Sequence, residues 1–173
     1  MERLKSVKDL RALRQRLQEI SLSSKKIKVR VCCGTGCRAN NSIKVFENLY
    51  NSLKESGLDV EIIPTGCQGL CQKGPLVTVE PPGYFYKRVT PESINELAES
   101  IKDEKPAWEL LYRDPIGKVA YFLNDIPFYS KQLRVVLKNN GRIDPTNIYH
   151  YIASEGYTAL EKALMYMDSQ SII

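Results

Sequence analysis

A chain of 173 residues with 43% apolar and 26% charged side chains has the material for one folded domain with an appendage, which removes intrinsic disorder as the default reading. No stretch approaches the roughly 18 uninterrupted apolar residues of a membrane span, and MERLKSVKDLRALRQRL lacks the apolar centre of a signal peptide, so a cytoplasmic protein is expected. The net charge of +5, from 25 Lys and Arg against 20 Asp and Glu, is spread along the chain without a basic run interleaved with aromatics, which speaks against a nucleic-acid partner.

Leu10, Leu13, Leu17 and Ile20 recur at helical spacing and predict an amphipathic helix within residues 1–25, ended by the Ser-rich SLSSKK. Ile27, Val29 and Val31 alternate with Lys28 and Arg30 as a half-buried strand that runs into the hexapeptide CCGTGC, residues 32–37. Asn41 or Ser42 caps a helix with Val45, Phe46, Leu49 and Leu53 on one face and Gly57 at its end. Leu58, Val60 and Ile62 form a second strand, which delivers the chain to a second hexapeptide, GCQGLC, residues 66–71. LVTVE and YFYKRV, joined by Pro-Pro-Gly, read as a hairpin. Thr90 and Pro91 then open a helix faced by Ile94, Leu97, Ala98 and Ile101. The order β-α-β-β-β-α is that of an α/β, thioredoxin-like domain over residues 26–104.

Residues 105–126 have the composition of a linker, and 127–173 read as short helices. Phe128, Leu133, Val136 and Leu137 mark one, stopped by Asn-Asn-Gly; Asp144-Pro145 opens a second; Ala159, Leu160, Ala163 and Leu164 mark a third, and MDSQSII begins a fourth.

All five cysteines lie in the two hexapeptides, and in a reducing compartment clustered thiols point to a metal or redox site rather than to disulfides. Structural zinc favours C-x2-C knuckles, whereas here the spacings are C-x4-C (Cys32, Cys37) and C-x3-C (Cys67, Cys71) in loops carrying Gly34, Gly36, Gly66 and Gly69. Glycine loops can turn backbone N–H groups toward cluster sulfurs, which favours an iron–sulfur cluster over zinc. A zinc-stapled interaction module without redox role and an iron–sulfur regulatory or assembly protein stay as alternatives. A dithiol redox motif would need C-x-x-C, which is absent, and a Rieske centre two His, where the chain has only His150. His150 and Tyr149, Tyr151, Tyr157 and Tyr166 read as packing or surface residues, and Lys73, Lys87 and Arg88 as solvated charges, with tuning of the cluster potential or contact with a partner as the alternative.

CCGTGC followed by TGCQGLCQKGPLVTVEPPGYFYKRVTPESINEL resembles the thioredoxin-like [2Fe–2S] ferredoxin domain of complex I-like and NAD(P)-coupled hydrogenase subunits, over about residues 26–104. The resemblance implies an electron-transfer role with no acid–base catalytic residues. Its ligands would be Cys32, Cys37, Cys67 and Cys71, with Cys67 and Cys71 on one iron and Cys32 and Cys37 on the other. Cys33 is then the extra thiol, directed to the opposite side of the strand from Cys32 and read as a small semi-buried hydrophobe, with a replacement ligand forming C-x3-C with Cys37 as the alternative. The later segment FYSKQLRVVLKNNGRIDPTNIYHYIASEGYTALEKAL looks like the helical lead-in to the FMN- and NADH-binding domain of the flavoprotein subunit. A GRGG-type FMN loop, an NADH site and a [4Fe–4S] motif are not in this sequence. FMN, NAD(P) and a [4Fe–4S] cluster therefore belong to a longer parent chain, and this chain is expected to be a fragment or a short natural version with no complete active site. Implied partners are the other subunits of a hydrogenase, a formate dehydrogenase or a complex I-like assembly.

Overall fold

The computed structural model describes residues 3–173, which divide into two compact units. Lys26–Asp144 form one and carry every cysteine; the residues before Lys26 join Pro145–Ile173 to form the other.

Helix α1 (Val7–Ser23) starts at Ser6, whose Oγ accepts the Asp9 N–H at 3.2 Å, and it ends inside the Ser-rich stretch. Strand β1 (Ile27–Cys32) buries Val29 and Val31 completely. The first cysteine hexapeptide then coils into a short helix, α2 (Thr35–Ala39), which carries too few residues past one turn to leave an apolar period in the sequence. Helix α3 (Ser42–Glu55) buries Val45, Leu49 and Leu53, and Gly57 follows it at φ +71, the left-handed geometry expected of the residue that ends a helix.

Strand β2 (Val60–Thr65) pairs in parallel with β1, and the hairpin of β3 (Val77–Glu80) and β4 (Tyr84–Tyr86) adds antiparallel on the other side. The sheet order is β2-β1-β3-β4. Pro91 opens a 3₁₀ turn, with the Thr90 N–H bound to Ser93 Oγ at 3.0 Å, and α4 (Ile94–Lys102) follows with Ile94, Leu97 and Ile101 buried. These side chains join those of α3 and Val29, Val31, Val77 and Val79 of the sheet in one continuous core. The result is the expected α/β, thioredoxin-like β-α-β-β-β-α arrangement.

Beyond α4 the structure departs from the expected linker. Ala107, Leu110, Leu111, Ala120 and Ile126 are buried, and β5 (Tyr112–Arg113) pairs with β6 (Val119–Ala120). The open edge of β4 explains this: the Phe85 N–H donates to Tyr121 O at 2.8 Å and the Lys87 N–H to Leu110 O at 2.8 Å. An edge strand leaves backbone groups unpaired, and residues 105–126 satisfy them with irregular backbone whose scattered apolar residues show no period.

The helix expected through Leu133 and Val136 is also not formed. Only the single turn α5 (Pro127–Ser130) is helical; Leu133 and Val136 stand 91% and 92% exposed in the loop that follows. Helical spacing stabilises a helix only where its apolar face packs, and here that face has no surface to cover it.

In the other unit, the expected start at Asp144-Pro145 is replaced by one after Asn147, whose Oδ1 accepts the Tyr149 N–H at 3.0 Å to cap α6 (Ile148–Ala153). Helix α7 (Thr158–Tyr166) carries Ala159, Leu160, Ala163 and Leu164 as expected, and α8 (Ser169–Ile172) is capped by Asp168. His150 lies on α6. This unit is tied to α1 by polar bridges: Arg11 Nε donates to Glu161 Oε1 at 2.7 Å, Arg14 Nη2 to Gly156 O at 3.1 Å and Gln18 Nε2 to Ala153 O at 3.0 Å. Among the described residues no helix is long and apolar enough to cross a membrane.

Candidate metal centre

Both hexapeptides begin where a sheet strand ends, on the two neighbouring parallel strands β1 and β2. The Cys32 N–H donates to Leu76 O at 2.9 Å and the Cys33 N–H to Thr65 O at 2.8 Å, so successive residues bond to opposite neighbours. Their side chains part accordingly. Cys32 enters a small apolar cluster with Cys37, Leu76, Phe85, Ala120, Ile126 and Tyr129, whereas Cys33 packs against the main core. All five thiols are free; Cys32 and Cys37 are buried, Cys67 is half-buried and Cys71 exposed.

The thiols gather in pairs. Cys67 Sγ and Cys71 Sγ are 3.9 Å apart, and Cys37 is packed with Cys32 in the small apolar cluster. Among the described residues no three His, Cys, Asp or Glu side chains group as the ligands of a single metal ion.

Close approach of the two loops depends on missing side chains. A Cβ on Gly34 would stand 2.7 Å from Cys67 Cβ, and one on Gly36 would stand 3.0 Å from Cys71 Sγ. Gly74, which the pattern of the hexapeptides does not single out, is tighter still, its Cβ falling 2.6 Å from Cys37 Sγ. Gly69 adopts φ +93 and donates its N–H to Cys67 Sγ at 3.4 Å, the inward-turned amide expected of a sulfur-binding loop. Gly66 contributes its carbonyl instead, 3.7 Å from Cys32 Sγ.

The donated proton of Cys37 lowers the Cys32 thiol to about 6, against the opposing effect of burial, and the Gly34 and Gln68 N–H groups lower it further. Cys37 is raised for the complementary reasons, its bond to Cys32 first and burial second. Cys71 is raised chiefly by its neighbour Cys67, and Cys33 chiefly by burial. Four sulfurs in two pairs, cradled by glycines and met by backbone N–H groups, fit a two-metal sulfur cluster.

Residues 127–142 complete the site, and no motif announces them. Phe128 lies 3.7 Å from the position of a Cβ on Gly69, Asn140 Nδ2 donates to Cys67 O at 2.9 Å, and Gly141, at φ +79, sits over the buried Gln68 side chain. Tyr129 packs edge-on against Phe85 at 5.8 Å. On the side of Cys71 the wall is open: a groove of about 570 Å³ is lined by Cys71, Asn40, Asn41, Gln72, Arg88 and Thr90. Arg88 lines this groove and Lys73 lies in the chain between its lining residues Gln72 and Gly74, so a cationic rim of these two borders this side; Lys87 is lowered first by burial and then by Arg88, Arg113 and Lys73.

Residues 21–102 match a family model described as thioredoxin-like [2Fe-2S] ferredoxin. A 2Fe-2S ferredoxin of Clostridium pasteurianum is 36% identical over 66 residues, covering 37% of this chain and 65% of that protein. A 2Fe-2S ferredoxin of Aquifex aeolicus is 32% identical over 79 residues, covering 43% of this chain and 71% of the relative. The chain thus spans about two thirds of the length of these curated relatives. The solved structure of the wild-type thioredoxin-like [2Fe-2S] ferredoxin from Aquifex aeolicus aligns at 27% identity and TM-score 0.47, covering 53% of this chain and 100% of that one.

Proposed function

From the premise that this chain belongs to the thioredoxin-like [2Fe–2S] ferredoxin family, we propose that it transfers single electrons through one [2Fe–2S] cluster held by Cys32, Cys37, Cys67 and Cys71. The observation that carries this reading is the pairing of the thiols: 3.9 Å between Cys67 and Cys71 Sγ, and Cys37 against Cys32, with glycines where any side chain would strike them. Two pairs suit two irons, whereas a single zinc would draw four thiolates about one point.

When bound, such a cluster supplies reversible one-electron oxidation and reduction. The chain's own residues do the rest. The buried pair Cys32 and Cys37 fixes one side within the apolar cluster of Phe85, Ile126 and Tyr129, which keeps water away. Gly69, Gly34, Gln68 and Leu76 turn N–H groups onto the sulfurs, which favours the more negative, reduced state and so sets the potential. Cys71, exposed beside the groove and its cationic rim, gives the short path to an electron donor or acceptor.

The wider setting we propose is an NAD(P)H-linked oxidoreductase of hydrogenase, formate dehydrogenase or complex I-like type, in the cytoplasm, with FMN, NAD(P) and a [4Fe–4S] cluster on a longer parent chain. What supports it is the likeness of residues 127–173 to the lead-in of a flavoprotein subunit. Anaerobic purification tests the core of the reading. The chain should be red-brown and give an S = 1/2 EPR signal after dithionite; a colourless protein with stoichiometric zinc would sink it. Reduction of the loaded chain by an NADH-reduced flavoprotein tests the setting separately.

A further inference from the structure

Tyr129 lies outside the 21–102 region that the family model covers, on the single helical turn α5. Its side chain is 4% exposed and shares the small apolar cluster with Cys32 and Cys37. Edge-on rings of Phe85 at 5.8 Å and Phe128 at 5.0 Å hold it, and the Arg134 guanidinium caps its face at 5.3 Å. Its hydroxyl is fully enclosed and has no hydrogen-bond partner among the described residues. A buried donor left unmade is costly, and proteins rarely keep one without an acceptor. Among the described residues, the amide of Gln68, the residue between Cys67 and Gly69, is in the same condition.

The cluster that encloses Tyr129 narrows the choice of acceptor: besides Cys32 and Cys37, its other buried members are Leu76, Phe85, Ala120 and Ile126, all apolar. The sulfurs of Cys32 and Cys37 are therefore the acceptors packed with the phenol, and its hydroxyl is the donor.

We infer that Tyr129 is a positioning residue of the sulfur site, its hydroxyl donating a hydrogen bond to the sulfurs gathered by Cys32 and Cys37 and raising the reduction potential of the centre they help to hold. Donation to sulfur stabilises the extra negative charge of the reduced state. The segment read as a helical lead-in then has a second role, tuning the site it covers. This inference rests on the cluster reading of the preceding section.

The test compares the full chain with its Tyr129→Phe variant, which keeps the ring and its packing and removes only the donor. The expected result is a variant with the same iron and sulfide content, a midpoint potential shifted to more negative values, and loss of a deuterium-sensitive component from its Fe–S stretching bands. 3-Fluorotyrosine at position 129, a more acidic phenol of nearly the same shape, should shift the potential the other way, and it keeps the test decisive if the Phe variant assembles poorly. A loaded chain whose potential and isotope response are unchanged by both replacements would overturn the inference while leaving the cluster reading intact. A native chain that takes up no iron and sulfide would overturn the two together.

Discussion

The two cysteine hexapeptides are alike in sequence and opposite in setting. CCGTGC places Cys32 and Cys37 in an apolar cluster at 1% exposure each, while GCQGLC leaves Cys67 half-buried and Cys71 open to a groove with a cationic rim. One half of the site is part of the core and the other is part of the surface. The difference teaches that holding a cluster and passing electrons place different demands on a loop: the first needs fixed, dry sulfurs, the second an approach path.

Serine replacements should expose the asymmetry most strongly. Cys32→Ser, Cys37→Ser, Cys67→Ser and Cys71→Ser should each lose or alter the cluster, read as iron content and EPR. Only the buried pair should also destabilise the metal-free chain, by about 1–3 kcal/mol for a hydroxyl placed among apolar neighbours, read as a lower Tm. Equal metal-free stability across the four variants would break the comparison.

The glycines give the next effect. Gly74→Ala forces a Cβ to within 2.6 Å of Cys37 Sγ, which is buried and cannot retreat, and should cost about 1–3 kcal/mol in overpacking as well as cluster occupancy. Gly36→Ala presses at 3.0 Å on Cys71, which is exposed and can move, so denaturant midpoints should fall less. Asn140→Ala removes the 2.9 Å bond to Cys67 O and should cost about 1 kcal/mol, with faster amide exchange at Gly69 while the amides around Cys32 stay protected. Cys33→Ser should have the smallest effect: the cluster is retained and stability changes by about 1 kcal/mol or less, because this thiol packs against the main core rather than among the paired sulfurs. A cluster that survives Cys32→Ser but not Cys33→Ser would reassign the ligand.

Much of the domain was legible from local pattern. The alternation of Ile27, Val29 and Val31, the Val45-Leu49-Leu53 face and the Thr90-Pro91 start each depend on neighbours within a few residues, and each is realised in β1, α3 and α4. The divergent directions of Cys32 and Cys33 follow from the same short-range rule, the two-residue period of a strand. Residues 105–126 and 131–138 were illegible for opposite reasons. In the first, backbone bonds to the β4 edge do the holding and need no apolar period; in the second, Leu133 and Val136 have the period of a helix and nothing to pack on.

The amino-acid sequence by itself determined the kind of site, because thiols at C-x4-C and C-x3-C spacing among glycines are a matter of chain composition and short loops. Only the tertiary structure decided which thiols lie deep, that Gly74 closes on Cys37, and that Tyr129, Asn140 and Gly141 complete the wall around the cysteines. Those contacts join residues some 40 to 100 positions apart, from Gly74 on Cys37 to Tyr129 beside Cys32. Their partners are chosen by the shape and open edges of the folded sheet, and no local spacing carries that information.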